Sequence, residues 1–219
     1  METNSYLSGS PRTRPHWHSD YDYAHRRHTS QMAHRLMYAP AEDSHLLASC
    51  IPSYVLHKTV LDMGTGSGIL ARTALESGAS KVVAVDSNLD ARKKLPKQIQ
   101  FIHSDLYRKV KGTYDIILCN PPYLPDDAQE DVASKQATTG GKKGDEFILR
   151  FLKQSVSFLN KEGHIILLLS SLTPQKRIKQ LLFKHKLTTS TIARKNLFFE
   201  RLEVWEIQRK PFKGKKVRA

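Results

Sequence analysis

Asp62-Met63-Gly64-Thr65-Gly66-Ser67-Gly68 sets a carboxylate just ahead of three alternating glycines, and the apolar run that begins at Val60 leads into it. A strand that ends in such a turn and opens a helix lets a ligand approach the main chain, because glycine tolerates positive φ and a helix N-terminus offers free amide donors. The spacing is G-x-G-x-G, with no third glycine where a dinucleotide fold needs one. Asp62 would repel a pyrophosphate and attract an ammonium group, which favours the amino-acid end of S-adenosyl-L-methionine over a nicotinamide dinucleotide. Asp86 ends the next apolar run, 24 residues beyond Asp62, where a carboxylate can accept both ribose hydroxyls. Asp105 follows the run from Ile99 to His103 and fits as acceptor for the adenine amino group, with Leu106 packing on the ring.

A second constellation, Asn120-Pro121-Pro122-Tyr123, directly follows the run from Tyr114 to Cys119. The prolines stiffen the turn and remove two main-chain donors. The side-chain oxygen of Asn120 and the main-chain oxygen of Pro121 can then accept the two hydrogens of a planar NH2 group, against which Tyr123 would stack. An amide or aryl nitrogen is a poor nucleophile. Two acceptors can orient it and stabilise the positive charge that develops on it during methyl transfer, with no acid or base required.

These residues need a scaffold that brings successive strand ends together. Short apolar runs at Thr59 to Met63, Lys81 to Asp86, Ile99 to His103, Tyr114 to Cys119 and His164 to Leu169 alternate with helical segments at Ile69 to Ser77, Leu89 to Lys94 and Asp145 to Leu159. The alternation predicts an α/β fold with a parallel sheet covered by helices. Pro40 to Ile51 predicts a short entry helix, Gln175 to His185 a further basic helix, and Thr188 to Ala193 with Leu202 to Gln208 two terminal strands. Residues 1–35 have no periodicity and read as a flexible arm, 36–208 as one domain and 209–219 as a basic tail. The arm holds His16, His18, His25, His28 and His34, but no Cys or carboxylate is arranged with them on a recognisable element, and no metal site is assigned.

The chain has 219 residues with 35 Lys and Arg against 21 Asp and Glu, a net charge of +14. Its 39% hydrophobic content excludes wholesale disorder and fibrous classes. The charge is lopsided: residues 163–219 hold 14 basic and three acidic side chains, with no carboxylate between Gly163 and Phe199. Such a region suits an acidic or phosphate-rich partner. No apolar run is long enough to span a bilayer and the N-terminus has no signal-peptide pattern, so the expectation is a cytoplasmic protein with no membrane contact. Cys50 and Cys119 are too few for a disulfide framework and are expected as thiols.

Asn120-Pro-Pro-Tyr123 after Asp62-x-Gly-x-Gly-x-Gly68 resembles the class I S-adenosylmethionine-dependent methyltransferases that modify planar nitrogens. Tyr38-x-Pro40-Ala41-Glu42-Asp43-Ser44-x-Leu46-Leu47, together with Gly140-Gly141-x-x-Gly144 ahead of the segment Phe147 to Phe151, is similar to the short eukaryotic and archaeal branch of the HemK/PrmC family. The likeness runs from about Tyr38 to Ile207. It implies a Rossmann-like, mostly parallel seven-stranded sheet with helices on both faces and an antiparallel C-terminal strand. It implies cofactor contacts from Ser44, where the family usually has Thr, and from Asp62, Gly64, Asp86, Asp105, Leu106 and Asn120, with Asn120 to Tyr123 as the target clamp. It also implies methylation at N5 of the glutamine in the Gly-Gly-Gln loop of a class 1 peptide chain release factor, with a small zinc-binding activator as heterodimer partner. The helical N-terminal domain of bacterial members is not expected, since the first 35 residues are too few and too polar. The basic C-terminal region is left to contact a ribosome or RNA. One alternative is adenine N6-methylation of RNA or DNA, because the same clamp holds an adenine amine. Another is a cofactor-binding scaffold without transfer activity.

Overall fold

The computed structural model describes residues 40–125 and 139–211. Tyr38, the His-containing arm and residues 212–219 lie outside them. Helix α1 (Pro40–Cys50) and the single turn α2 (Pro52–Val55) precede β1 (Thr59–Met63). There follow α3 (Ile69–Glu76), β2 (Lys81–Asp86), β3 (Gln100–His103) and β4 (Tyr114–Cys119), then a short parallel ladder of β5 (Leu124–Pro125) with β6 (Thr139–Gly141). Helix α4 (Glu146–Ser155), β7 (Leu159–Ser170), α5 (Gln175–Lys184), β8 (Leu187–Asn196) and β9 (Arg201–Arg209) complete the domain.

The main sheet has seven strands in the order β3-β2-β1-β4-β7-β9-β8. The first five are parallel, and β9 runs antiparallel to both its neighbours. This is the expected Rossmann-like architecture with a reversed terminal strand. Val82 to Val85, Ile116 to Cys119 and Ile165 to Leu169 are at most 2% exposed, as central strands covered on both faces must be. Two helical groups supply the cover: α1 to α3 pack against one another, and α4 packs on α5. Helix α4 buries Ile148, Phe151, Leu152 and Ser155, one stripe at helical spacing. Strand β8 closes the far edge with Thr188, Ser190, Arg194 and Lys195 outward, and polar side chains of this kind discourage edge-to-edge pairing.

Two expectations change. Leu89–Lys94 is a 3-10 helix, because it buries only Ala91 and Pro96 follows within two residues. Strand β7 begins five residues earlier than predicted, at Leu159. Its first turn of sequence, Asn160-Lys161-Glu162, is polar because it extends past the core. Among the described residues no helix is long and apolar enough to cross a membrane. Cys50 and Cys119 are both free thiols.

Phe151 is fully buried and stacks on Tyr107 at 6.0 Å, while the Tyr107 hydroxyl meets Ser155 Oγ at 2.7 Å. Phe151→Ala should lower unfolding free energy by about 3–5 kcal/mol, read as a shifted urea midpoint at unchanged slope.

Candidate active site

Strand order reverses between β1 and β4, and the crevice beyond the carboxyl ends of such strands is where open α/β sheets hold ligands. Met63 and Cys119 are register partners, so Gly64 and Asn120 leave adjacent strands side by side. Met63 also pairs with Val85, and Asp86 with His103, which brings Asp86 and Asp105 to the same edge. Four motifs separated in sequence thus line one rim.

The glycine turn has the conformation its composition predicts, with φ of +74°, +51° and +77° at Gly64, Gly66 and Gly68. A side chain at Gly68 would also strike Leu95 Cδ2 at 2.6 Å. Several of the expected amide donors are already engaged: Gly64 N–H donates to the Val85 carbonyl and Gly66 N–H to Asp86 Oδ2, both at 2.8 Å. The other Asp86 oxygen accepts from Asn88 N–H at 2.8 Å, so this carboxylate is held rigidly at the strand end.

Asp62 is fully buried. Its Oδ2 accepts from Thr65 Oγ1 at 2.6 Å and from the Ala71 N–H in the first turn of α3 at 3.1 Å. Its Oδ1 is buried without a hydrogen-bond partner. Burial pushes the carboxyl up to about 6, against the lowering effect of Thr65 and Ala71 and with a small further push from the Asp86 charge. A buried anionic acceptor with one oxygen unused fits a cationic donor such as an ammonium group and repels a phosphate.

Asn120 is half-buried, and its orientation is fixed from behind. Its Nδ2 donates to Ser44 Oγ at 3.1 Å. That acceptor holds the NH2 end, and Oδ1 is left buried and unpartnered. Pro121 and Tyr123 are buried, with Tyr123 only 4% exposed, so the ring forms a packed wall of the site. Gly140 explains the second glycine motif: a Cβ there would lie 2.7 Å from the Pro122 carbonyl oxygen and closer still to that of Gly144. The main chain before α4 is thereby pressed against the clamp.

Asp105 is well exposed and meets Arg150 Nη2 with both oxygens at 2.9 Å, a partner the sequence did not suggest. Leu106 beside it is buried, with φ of +46°. Asp43 and Glu200 were also missed. They are 9% and 7% exposed, and the Ser170 hydroxyl donates a short hydrogen bond to Glu200. Burial raises both carboxyls, and the Asp43 charge pushes Glu200 further up. The signal for Glu200 was its isolation, as the first carboxylate after the long acid-free stretch from Gly163. Among the described residues no group of His, Cys, Asp and Glu is placed to hold a metal ion.

A reversed-strand α/β sheet with an acidic glycine turn and an amide clamp at adjacent strand ends defines a methyltransferase. Residues 41–199 match the methyltransferase small domain, and the chain belongs to that family. A protein of Methanocaldococcus jannaschii, provisionally named a protein N5-glutamine methyltransferase, is 39% identical over 185 residues, covering 78% of this chain and 91% of the relative. The release factor glutamine methyltransferase of Rhodopirellula baltica is 34% identical over 131 residues, covering 51% of this chain and 44% of its own length. This chain thus spans less than half of that bacterial relative. The fold is that of the E. cuniculi Mtq2–Trm112 complex responsible for methylation of the eRF1 translation termination factor, with a TM-score of 0.64 at 24% identity over 79% of this chain and 98% of that one.

Two outcomes follow from this geometry. Because the folded state binds the Asp62 proton more tightly than the unfolded chain, stability falls as pH rises between the ordinary carboxyl value near 3.8 and about 6, and does not return above that. Without cofactor, Asp62→Asn should gain on the wild type by up to about 3 kcal/mol across this window, measured by urea unfolding at several pH values. Gly140→Ala should lower turnover by about tenfold or more while leaving cofactor affinity within a few-fold, since backbone rather than a mobile side chain must give way. Calorimetry beside a turnover assay checks it.

Proposed function

We propose that the chain is an S-adenosyl-L-methionine-dependent protein glutamine N5-methyltransferase that modifies the Gly-Gly-Gln loop of a class 1 peptide chain release factor. The observation that carries this reading is Asn120 Oδ1, an acceptor buried without a partner at the strand-order reversal and held there through Nδ2 by Ser44. An NH2 donor is what completes it. The names of the M. jannaschii and R. baltica relatives point to glutamine as the bearer of that group, and the R. baltica name to a release factor.

Asp62, through its unused oxygen, would hold the ammonium end of the cofactor, with Gly64, Gly66 and Gly68 permitting close approach. Asp86 would take the ribose hydroxyls. Asp105 would share its carboxylate between Arg150 and the adenine amino group over Leu106, and Ser44 would lie near the methionine moiety. S-adenosyl-L-methionine supplies a methyl group activated on a positively charged sulfur. Asn120 Oδ1 and the Pro121 carbonyl hold the two amide hydrogens, keep the nitrogen oriented and stabilise the positive charge that grows on it. Pro122 and Tyr123 stiffen and wall the clamp. A small zinc-binding activator pairs with the chain as Trm112 does with Mtq2 in the E. cuniculi complex, and the basic C-terminal region assists docking in a ribosomal or RNA context.

Incubation of the protein with labelled cofactor, a class 1 release factor and total RNA should label the factor on the glutamine of its Gly-Gly-Gln loop, located by mass spectrometry; label in RNA alone overturns the reading in favour of adenine methylation. Asn120→Ala should keep cofactor binding within several-fold and lose at least about 100-fold in turnover.

A further inference from the structure

Phe198 and Phe199 form the turn between β8 and β9, at the sheet edge where β7 ends, and are 91% and 56% exposed. Their rings meet edge to face, 4.5 Å apart at 83°, and so make one knob. The turn is short and anchored on both sides. Leu197 N–H donates to the Glu200 carbonyl at 2.8 Å and Ser171 N–H to the Arg201 carbonyl at 2.8 Å. The Glu200 carboxylate is buried against Ser170, within electrostatic reach of Asp43 behind the clamp. Lys195 reaches Glu42 of α1 at 3.4 Å, one residue before Asp43. The knob therefore rides on the turn that carries Glu200, and Lys195 ties its strand to the helix that bears Asp43 and Ser44.

Resting on the protein-amide reading above, we propose that Phe198 and Phe199 are a docking knob for the folded protein that bears the target glutamine, engaging an apolar recess of that protein beside its target loop. Exposed aromatics held rigidly at the edge of a site have the character of binding hot spots, since little rotamer freedom is lost when they are covered. Arg194 and Arg201 flank the knob at 63% and 50% side-chain exposure, both paired with Glu203, and Lys195 at 43% pairs with Glu42; three cations on two carboxylates leave a positive excess that fits acidic side chains around such a recess. The edge-to-face geometry disfavours single-stranded nucleic acid as the occupant, because stacking of successive bases needs open aromatic faces and one ring here covers the other with its edge.

The test uses the full-length protein with its activator and compares Phe198→Ser, Phe199→Ser and the double variant. The substrates are an intact class 1 release factor and a short synthetic peptide containing its Gly-Gly-Gln sequence. The double variant should raise KM for the intact factor by about tenfold or more, with kcat, peptide methylation, cofactor affinity and melting temperature changed less than twofold or by less than two degrees on the order expected for exposed positions. Unchanged KM for the intact factor, with wild-type methylation of that factor intact, overturns the docking role and leaves the methyltransferase reading standing. Absence of methylation by the wild type overturns both. Two further results would also overturn the knob: a loss confined to binding of an adenine-containing RNA oligonucleotide, or a wild-type dimer in sedimentation that the double variant dissolves.

Discussion

The parallel pairing of β1 with β4 is the constraint on which the rest of this molecule depends. Between those two strands the sheet reverses its order, so no helix connection covers the space beyond their carboxyl ends. The register that makes Met63 and Cys119 neighbours sets the spacing between the glycine turn and Asn120. A slip of one residue would turn every side chain of one strand to the opposite face and separate the two halves of the site. Much of the remaining fold holds this ladder in place: fully buried residues of β7 on one flank, β2 on the other, and the helical layers over both faces.

Support for the clamp comes from outside the motif itself. The segment before α4 lies against the Pro122 carbonyl because Gly140 has no side chain to hold it away. Behind it, Asp145 at the start of α4 is fully buried and ion-paired to Arg177 of α5 at 3.0 Å, which fixes the two helices where the glycine segment enters. On the opposite side Asp43, Ser44, Ser170 and Glu200 form a buried polar group from α1, β7 and the β8–β9 turn. Burying a carboxyl is unfavourable in isolation and raises both Asp43 and Glu200, with the Asp43 charge adding to the rise at Glu200. What the arrangement gains is an asparagine held by its NH2 end.

How far this was legible in the sequence follows from how local each signal is. The strands β1, β2 and β4 are continuous apolar runs with the motifs at or immediately after their ends, so the fold and the gathering of those motifs at one edge could be derived from neighbours in sequence. The placement of Asn120 beside the glycine turn was legible for the same reason. The polar backing was not, because Asp43, Ser170 and Glu200 come from three distant segments, and although Asp43 stands in the entry motif nothing in the sequence joins it to the other two. Arg150 on Asp105 was hidden likewise: a cation on an exposed helix face looks solvated until the helix is packed. The total charge of +14 says little about the site, since part of its C-terminal excess lies on α5 and β8, outside the strand ends where the motifs meet.

Two unpartnered acceptors would make the proposed site selective. Asp62 Oδ1 and Asn120 Oδ1 are both buried without donors, and a buried acceptor left unpaired costs on the order of 1–3 kcal/mol, more when it is charged. Ligands that bring N–H groups to these atoms relieve that cost on binding, whereas a phosphate or a second carboxylate would add repulsion to it. A hydroxyl offers one hydrogen where the clamp presents two acceptors, and an alkyl ammonium lacks the planarity that lets Asn120 Oδ1 and the Pro121 carbonyl share it. On the proposed function, discrimination would therefore reside in what the folded chain leaves unsatisfied, aimed at a planar NH2 group facing a cationic neighbour.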